Sequence, residues 1–243
     1  MYQDFSFYYD LFAYDIDYGK FYRYYKKIFE KFGLTPKLVL DICCGTGTLT
    51  TLMAKDYDMI GVDFSWEMLD MAKKKDPDNR ILYLNQSMTD FELYGTVDAC
   101  YSSLDSVNYL LEPKDLLTHF RLVKNYLNPD GLYIFDISTI YKFRHILGNE
   151  TFTDETEHDF FVWQNQYEDR ILTMELDIFH EGEDGRYDRI SETHYERGYS
   201  IAEITNAAKR CGFLVEGVYD DLSFCPPHSK SMRVFFVLRS VTQ

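Results

Sequence analysis

The segment Asp41-Ile42-Cys43-Cys44-Gly45-Thr46-Gly47-Thr48 carries a short apolar run into a helical stretch, and Asp63 ends the next apolar run. A glycine-rich strand-to-helix turn lets backbone approach a ligand closely, and a carboxylate ending the following strand can hold ribose hydroxyls. Together they point to a nucleoside site. A dinucleotide fingerprint would read G-x-G-x-x-G with phosphates at the helix N-terminus. Here Gly45-Thr46-Gly47-Thr48-Leu49-Thr50 puts Thr50 where the third glycine should stand, which weighs against an NAD-type site. Further along, His194 and Arg197 lie three apart in a run rich in aromatic and β-branched residues, so they face opposite sides of a strand. If that run covers the nucleoside site, one of the two points inward. The six histidines show no metal-ligand spacing and there is no C-x-x-C pair, so no metal is expected.

The elements that must position these residues follow from periodicity. Asp15 to Phe32 reads as a helix closed by Gly33, with Pro36 beyond. Strands are expected at 37–42, 59–63, 81–84, 97–102 and 132–136, alternating with helices at 48–55, after Ser65, and from Pro113 to Tyr126. Short apolar strands alternating with helices imply an α/β doubly wound parallel sheet whose C-terminal edge binds the ligand. From Phe152 to Tyr199 the period changes. Phe160 to Tyr167, Ile171 to His180 and Tyr187 to Tyr199 read as three antiparallel strands joined by hairpin turns. A helix at 201–211 and strands at 213–219 and 232–239 then complete the sheet. The division expected is a nucleoside-binding domain, 1–150 plus 200–243, with a β insert at 151–199.

Composition narrows the partners. In 243 residues there are 25 Lys and Arg against 40 Asp and Glu, a net charge of −15, which disfavours nucleic acid. The start lacks a basic segment followed by an apolar run, and no stretch approaches the ~20 apolar residues of a membrane span. An odd count of five cysteines, Cys43 and Cys44 adjacent and the others scattered, suggests no disulfide framework. A cytoplasmic protein without membrane contact is expected. Of the 21 Tyr and 19 Phe, 14 crowd the first 32 residues, either as packing or as a lid over a flat or cationic ligand.

The glycine-rich turn resembles motif I of the class I S-adenosylmethionine-dependent methyltransferases, D-x-G-x-G-x-G. Asp41, Gly45 and Gly47 match, and Cys43 stands for the first glycine, a change tolerated if the position needs no positive φ. Gly61 to Leu69 resembles the second motif. Asn85 to Phe91 resembles the segment flanking adenine, with Ser87 where an Asp is usual. Asp105-Ser106-Val107-Asn108-Tyr109-Leu110 resembles the D-S-x-N-Y-[LI] signature of a bacterial branch that also begins with a Tyr-Asp element, here Tyr9-Asp10. That branch carries an H-x-x-R-x-[YF] strand, matched by His194, Arg197 and Tyr199, and is similar to the amino-sugar N-methyltransferases. The resemblance implies a Rossmann-like seven-stranded sheet whose last strand is antiparallel.

It also implies the roles. Asp41 and the backbone from Cys43 to Gly47 would hold the amino-acid end of S-adenosyl-L-methionine, and Asp63 its ribose. Asp63 alternatively caps the helix after Ser65. Phe64, Met68 and Met88 would enclose adenine beside Ser87, or pack the helix face and loop. Tyr9, Tyr18 and Leu104 would complete the cofactor site, with an N-terminal helical lid. Asp105 would orient an amine or hydroxyl near the methyl group, or else cap the turn after it. His194 is the acid/base candidate, and Arg197 reads as one half of a cross-strand pair on a solvated face. The activity implied is methyl transfer to a small molecule, preferably an amine, by a monomer or homodimer. A protein acceptor, or cofactor binding without turnover, is the alternative.

Overall fold

The computed structural model describes residues 9, 16–182 and 184–241. The expectations for the other N-terminal residues, Asp10 and the lid among them, lie outside the described residues.

Strands β1 (Leu38–Ile42), β2 (Asp58–Asp63), β3 (Leu82–Asn85), β4 (Val97–Ser102), β5 (Leu127–Ser138), β10 (Phe213–Asp220) and β11 (Arg233–Ser240) form one sheet. Its order is β3-β2-β1-β4-β5-β11-β10. Strands β1 to β5 pair in parallel, while β11 runs antiparallel to both β5 and β10. This is the Rossmann-like sheet with its last strand reversed. Helix α1 (Tyr18–Lys31) precedes β1, and helices α2 (Thr48–Met53), α3 (Trp66–Lys74), α4 (Pro113–Tyr126) and α5 (Ile201–Arg210) lie between strands.

Alternation along each strand divides the core between the two faces. Leu40, Ile42, Cys100 and Phe135 pack under α4 and α5 residues such as Phe120 and Ile204. Val39, Ala99, Tyr101 and Ile134 pack instead with Tyr25, Ile28 and Phe29 of α1. Most of the α1 aromatics are therefore core. Local chemistry sets the helix ends: Asp17 caps α1, Ser65 caps α3, and Ser200 with Glu203 makes a capping box on α5.

The insert holds the three expected strands, β7 (Asp159–Glu168), β8 (Ile171–Glu181) and β9 (Tyr187–Arg197). It also holds a fourth, β6 (Thr151–Glu155), at one edge, in the order β6-β7-β8-β9. All five β6 residues are exposed, so the strand has no buried face to show as apolar alternation.

Candidate active site

A cavity of about 980 Å³ lies between the C-terminal edge of the parallel strands and the inner face of the insert. It brings together Tyr9, Tyr18, Asp41, Cys43, Gly45, Asp63, Phe64, Met68, Ser87, Met88, Leu104, Asp105 and His194. Gly47 is the expected site residue that does not line it. Gly47 stands at the N-cap of α2 with φ +73°, and a Cβ there would sit 2.7 Å from Ala72 Cβ and 2.8 Å from the Tyr83 hydroxyl. Its place is set by the close approach of α2 to α3, not by reach into the cavity.

Asp41 is 2 % exposed, and its Oδ2 accepts from Thr50 Oγ1 at 2.6 Å and Tyr101 OH at 2.8 Å. Burial raises its pKa from 3.8 to about 7, against those two hydrogen bonds and helped by the Asp63 charge. Asp63 accepts from the Gly45 amide at 2.8 Å through Oδ2 and from the Ser65 amide at 2.9 Å through Oδ1. The helix cap is Ser65 itself, whose Oγ accepts from the Met68 amide at 3.1 Å. Asp63 thus ties the tip of β2 to the glycine-rich turn, and burial holds its pKa above the carboxylate norm. A Cβ on Gly45, whose φ is +53°, would meet nothing within 4 Å. The space in front of this turn is left open to a ligand. Cys43 has φ +61°. The position does use positive φ, so the substitution for glycine carries strain of about 1–2 kcal/mol.

At the far end, Leu104 and Asp105 are both left-handed, with φ +57° and +53°. Two successive strained residues persist only when their surroundings over-determine them. The buried Asp136 carboxylate does this, accepting from Leu104 N at 2.9 Å and Asp105 N at 3.0 Å while pairing with Arg233 of β11. Asp105 makes no side-chain cap to the following turn. Its carboxylate accepts from Ser138 Oγ and lies 3.7 Å from Lys142 Nζ and 4.0 Å from the Arg233 guanidinium. Burial pushes Asp105 up, but the Lys142 and Arg233 cations outweigh it and hold it below the usual carboxylate range. Ser87 Oγ closes its own turn, lying 3.0 Å from Thr89 Oγ1 and accepting from the Thr89 amide at 3.2 Å.

Of the β9 pair, His194 lines the cavity. Its Nδ1 lies 3.3 Å from Tyr109 OH, and burial lowers its pKa. The Arg197 guanidinium donates instead to the Leu111 carbonyl at 3.2 Å and lies over the Tyr199 ring, so it is not half of a solvated cross-strand pair. Sequence reasoning missed Glu196, Lys142 and Arg233, which also line the cavity. Glu196 was within reach of the same argument, since it lies two residues from His194 and shares its face.

Comparisons with known proteins fit this geometry. Residues 39–131 match a family described as methyltransferase domain. YqeM of Bacillus subtilis (strain 168), a candidate methyltransferase, is 33 % identical over 82 % of each chain. The chain belongs to the S-adenosylmethionine-dependent methyltransferases. The crystal structure of such a methyltransferase from Clostridium acetobutylicum ATCC 824 superposes with a TM-score of 0.89, at 29 % identity over 97 % of each chain. The sugar N-methyltransferase KedS8 from Streptoalloteichus shares the fold at a TM-score of 0.82, with 18 % identity over 96 % of this chain and 93 % of its own.

The residues present suit the cofactor of these methyltransferases. Open space before Gly45 admits a close ligand, and two buried carboxylates whose charge burial disfavours gain from a cationic, hydroxyl-rich one. Among the described residues no helix is long and apolar enough to cross a membrane. Nor is any group of three or more His, Cys, Asp or Glu among them placed to hold a metal ion.

Proposed function

We propose that this methyltransferase acts in the cytoplasm on the amine nitrogen of a small molecule. The observation that carries the reading is the position of the cavity. The insert's Phe161, Trp163, Met174 and Leu176 form one wall of the space opposite the glycine-rich turn, so an acceptor has to fit within it. Ionised Asp105 and the neighbouring acids at that end suit a group that arrives as a cation, and the likeness in fold to a sugar N-methyltransferase supports the same choice.

In this reading Asp41 and the Cys43–Gly45 backbone hold the amino-acid end of S-adenosylmethionine and Asp63 its ribose hydroxyls. Phe64, Met68 and Met88 border adenine with Ser87, while Tyr9, Tyr18 and Leu104 close the remaining sides. The cofactor supplies a methyl group on a sulfonium. The chain's own contribution is alignment, which for well-oriented pairs amounts to effective molarities of ~10⁵–10⁸ M and makes a covalent enzyme intermediate unnecessary. Asp105, fixed by Ser138, Lys142 and Arg233, orients the acceptor.

Methyl transfer from labelled S-adenosylmethionine to matched amine and alcohol pairs tests the proposal. Label on the amines with the alcohols silent is the expected result. Label on alcohols alone, or only on an added basic protein, would overturn it.

A further inference from the structure

We infer that Glu196 receives the acceptor: its carboxylate binds the incoming ammonium and takes the proton that nitrogen must lose before its lone pair can attack. This rests on the amine reading above.

The geometry singles Glu196 out. It lies on β9 directly opposite Leu172 of β8, as His194 lies opposite Met174, so all four share the inner face of the insert. Glu196 is 5 % exposed and lines the cavity. Among the described residues its carboxyl has neither a hydrogen bond nor an ion pair. The other acids at this end are engaged, Asp105 by Ser138 and Lys142, Asp136 by two backbone amides and Arg233. Buried ionisable groups are normally paired, because leaving one without a partner costs several kcal/mol. A cavity-lining carboxyl that lacks one inside the protein is complementary to a cation brought by the ligand.

The charged groups facing Glu196 are Asp105 from the loop after β4, Asp136 on β5, Lys142 from the helical turn after β5, and Arg233 on β11. His194 is the titratable neighbour on its own strand face. Burial first, then the Asp105 and Asp136 charges, favour its neutral form, while Lys142 and Arg233 oppose them. The result is an unusually basic carboxylate. When the ionised form meets an ammonium, one N–H bond breaks, its electron pair stays on nitrogen, and the proton moves to a Glu196 carboxylate oxygen. A buried ion pair thereby becomes two neutral groups, the arrangement that a low-dielectric site favours. The adjoining wall of Phe143, Trp163 and Met174 specifies the rest of the acceptor as an apolar frame.

Glu196→Gln keeps the side chain's volume and removes its basicity. The probes are phenethylamine, tryptamine and benzylamine, each against its alcohol counterpart. Thermal unfolding and S-adenosylhomocysteine affinity serve as controls for folding and for the cofactor half of the site. The expected result is that wild type methylates at least one amine. E196Q should lose about 10²–10⁴-fold in kcat/KM for it, and with that loss the fall in rate at low pH, the controls being unchanged. Equal amine turnover by both proteins, within threefold, would overturn the inference and leave the amine reading standing. Alcohol methylation alone, or no amine bound or methylated by wild type, would overturn both.

Discussion

Replacing Asp41 by Asn is expected to stabilise the protein above neutral pH while weakening its hold on S-adenosylmethionine. The magnitude follows from burial, which raises the carboxyl from 3.8 to about 7. That shift of roughly three units, at about 1.4 kcal/mol each, gives an ionisation penalty in the folded state on the order of 4 kcal/mol. The folded pKa lies above the unfolded one. Asp41's contribution is therefore most favourable below pH 3.8, is lost as pH rises from there to about 7, and stays lost beyond. Asn cannot ionise and keeps an oxygen for Thr50 and Tyr101. The stability gap between Asp41→Asn and wild type should thus widen by about 3 kcal/mol between pH 5 and pH 8. In a chain of this size that corresponds to roughly 6–12 °C in Tm. Thermal unfolding by circular dichroism at the two pH values reads it directly. Calorimetry at pH 8 should show S-adenosylhomocysteine binding weakened about 10–100-fold, the worth of a charge-assisted hydrogen bond. Parallel Tm curves at both pH values would refute the reasoning, because Asp41 would then ionise in the fold as easily as in the unfolded chain.

Asp63→Ala removes both the proposed ribose contact and the tie to the Gly45 amide, and should weaken S-adenosylhomocysteine by at least 10²-fold in calorimetry. Affinity within threefold of wild type would show that the carboxylate only braces the turn. Gly47→Ala forces a side chain into left-handed backbone against Ala72 and Tyr83, at a cost of about 2–5 kcal/mol in urea unfolding. No change in the urea midpoint would mean α2 and α3 have room to part. Asp136→Asn strips Arg233 of its buried partner and loosens the left-handed pair, so a loss of about 3–5 kcal/mol is expected from thermal unfolding. A loss under about 1 kcal/mol would place the constraint on Leu104 and Asp105 elsewhere.

The sheet was legible because each of its strands is a short apolar run and each helix carries its own stop signals. The residues proposed for the cofactor half are legible for a related reason: Asp41, the glycines and Asp63 are tied to strand ends, and strand ends can be located from periodicity. What escaped depends on partners far away in the chain. Strand β6 buries no face, so its residues carry no pattern. The positive φ of Cys43 is backbone geometry that a small side chain does not announce. Glu196 sits in a polar run where several carboxylates alternate, and only the facing of the insert decides which one turns inward. Arg233 meets Asp136 across 97 residues of sequence, a pairing that only the reversed last strand creates.

That reversed strand bears on how the protein is made. β11 is synthesised after every other strand, yet it fills the slot between β5 and β10 instead of adding at an edge. Until it emerges from the ribosome, β10 has no neighbour in the sheet and Asp136 no guanidinium. Pairings between such distant segments form slowly, since loop closure precedes their gain. The proposed methyl-acceptor end of the cavity is thus completed only once β11 has paired, and a nascent chain that already holds every residue proposed for the cofactor half still lacks the floor on which an acceptor would be held.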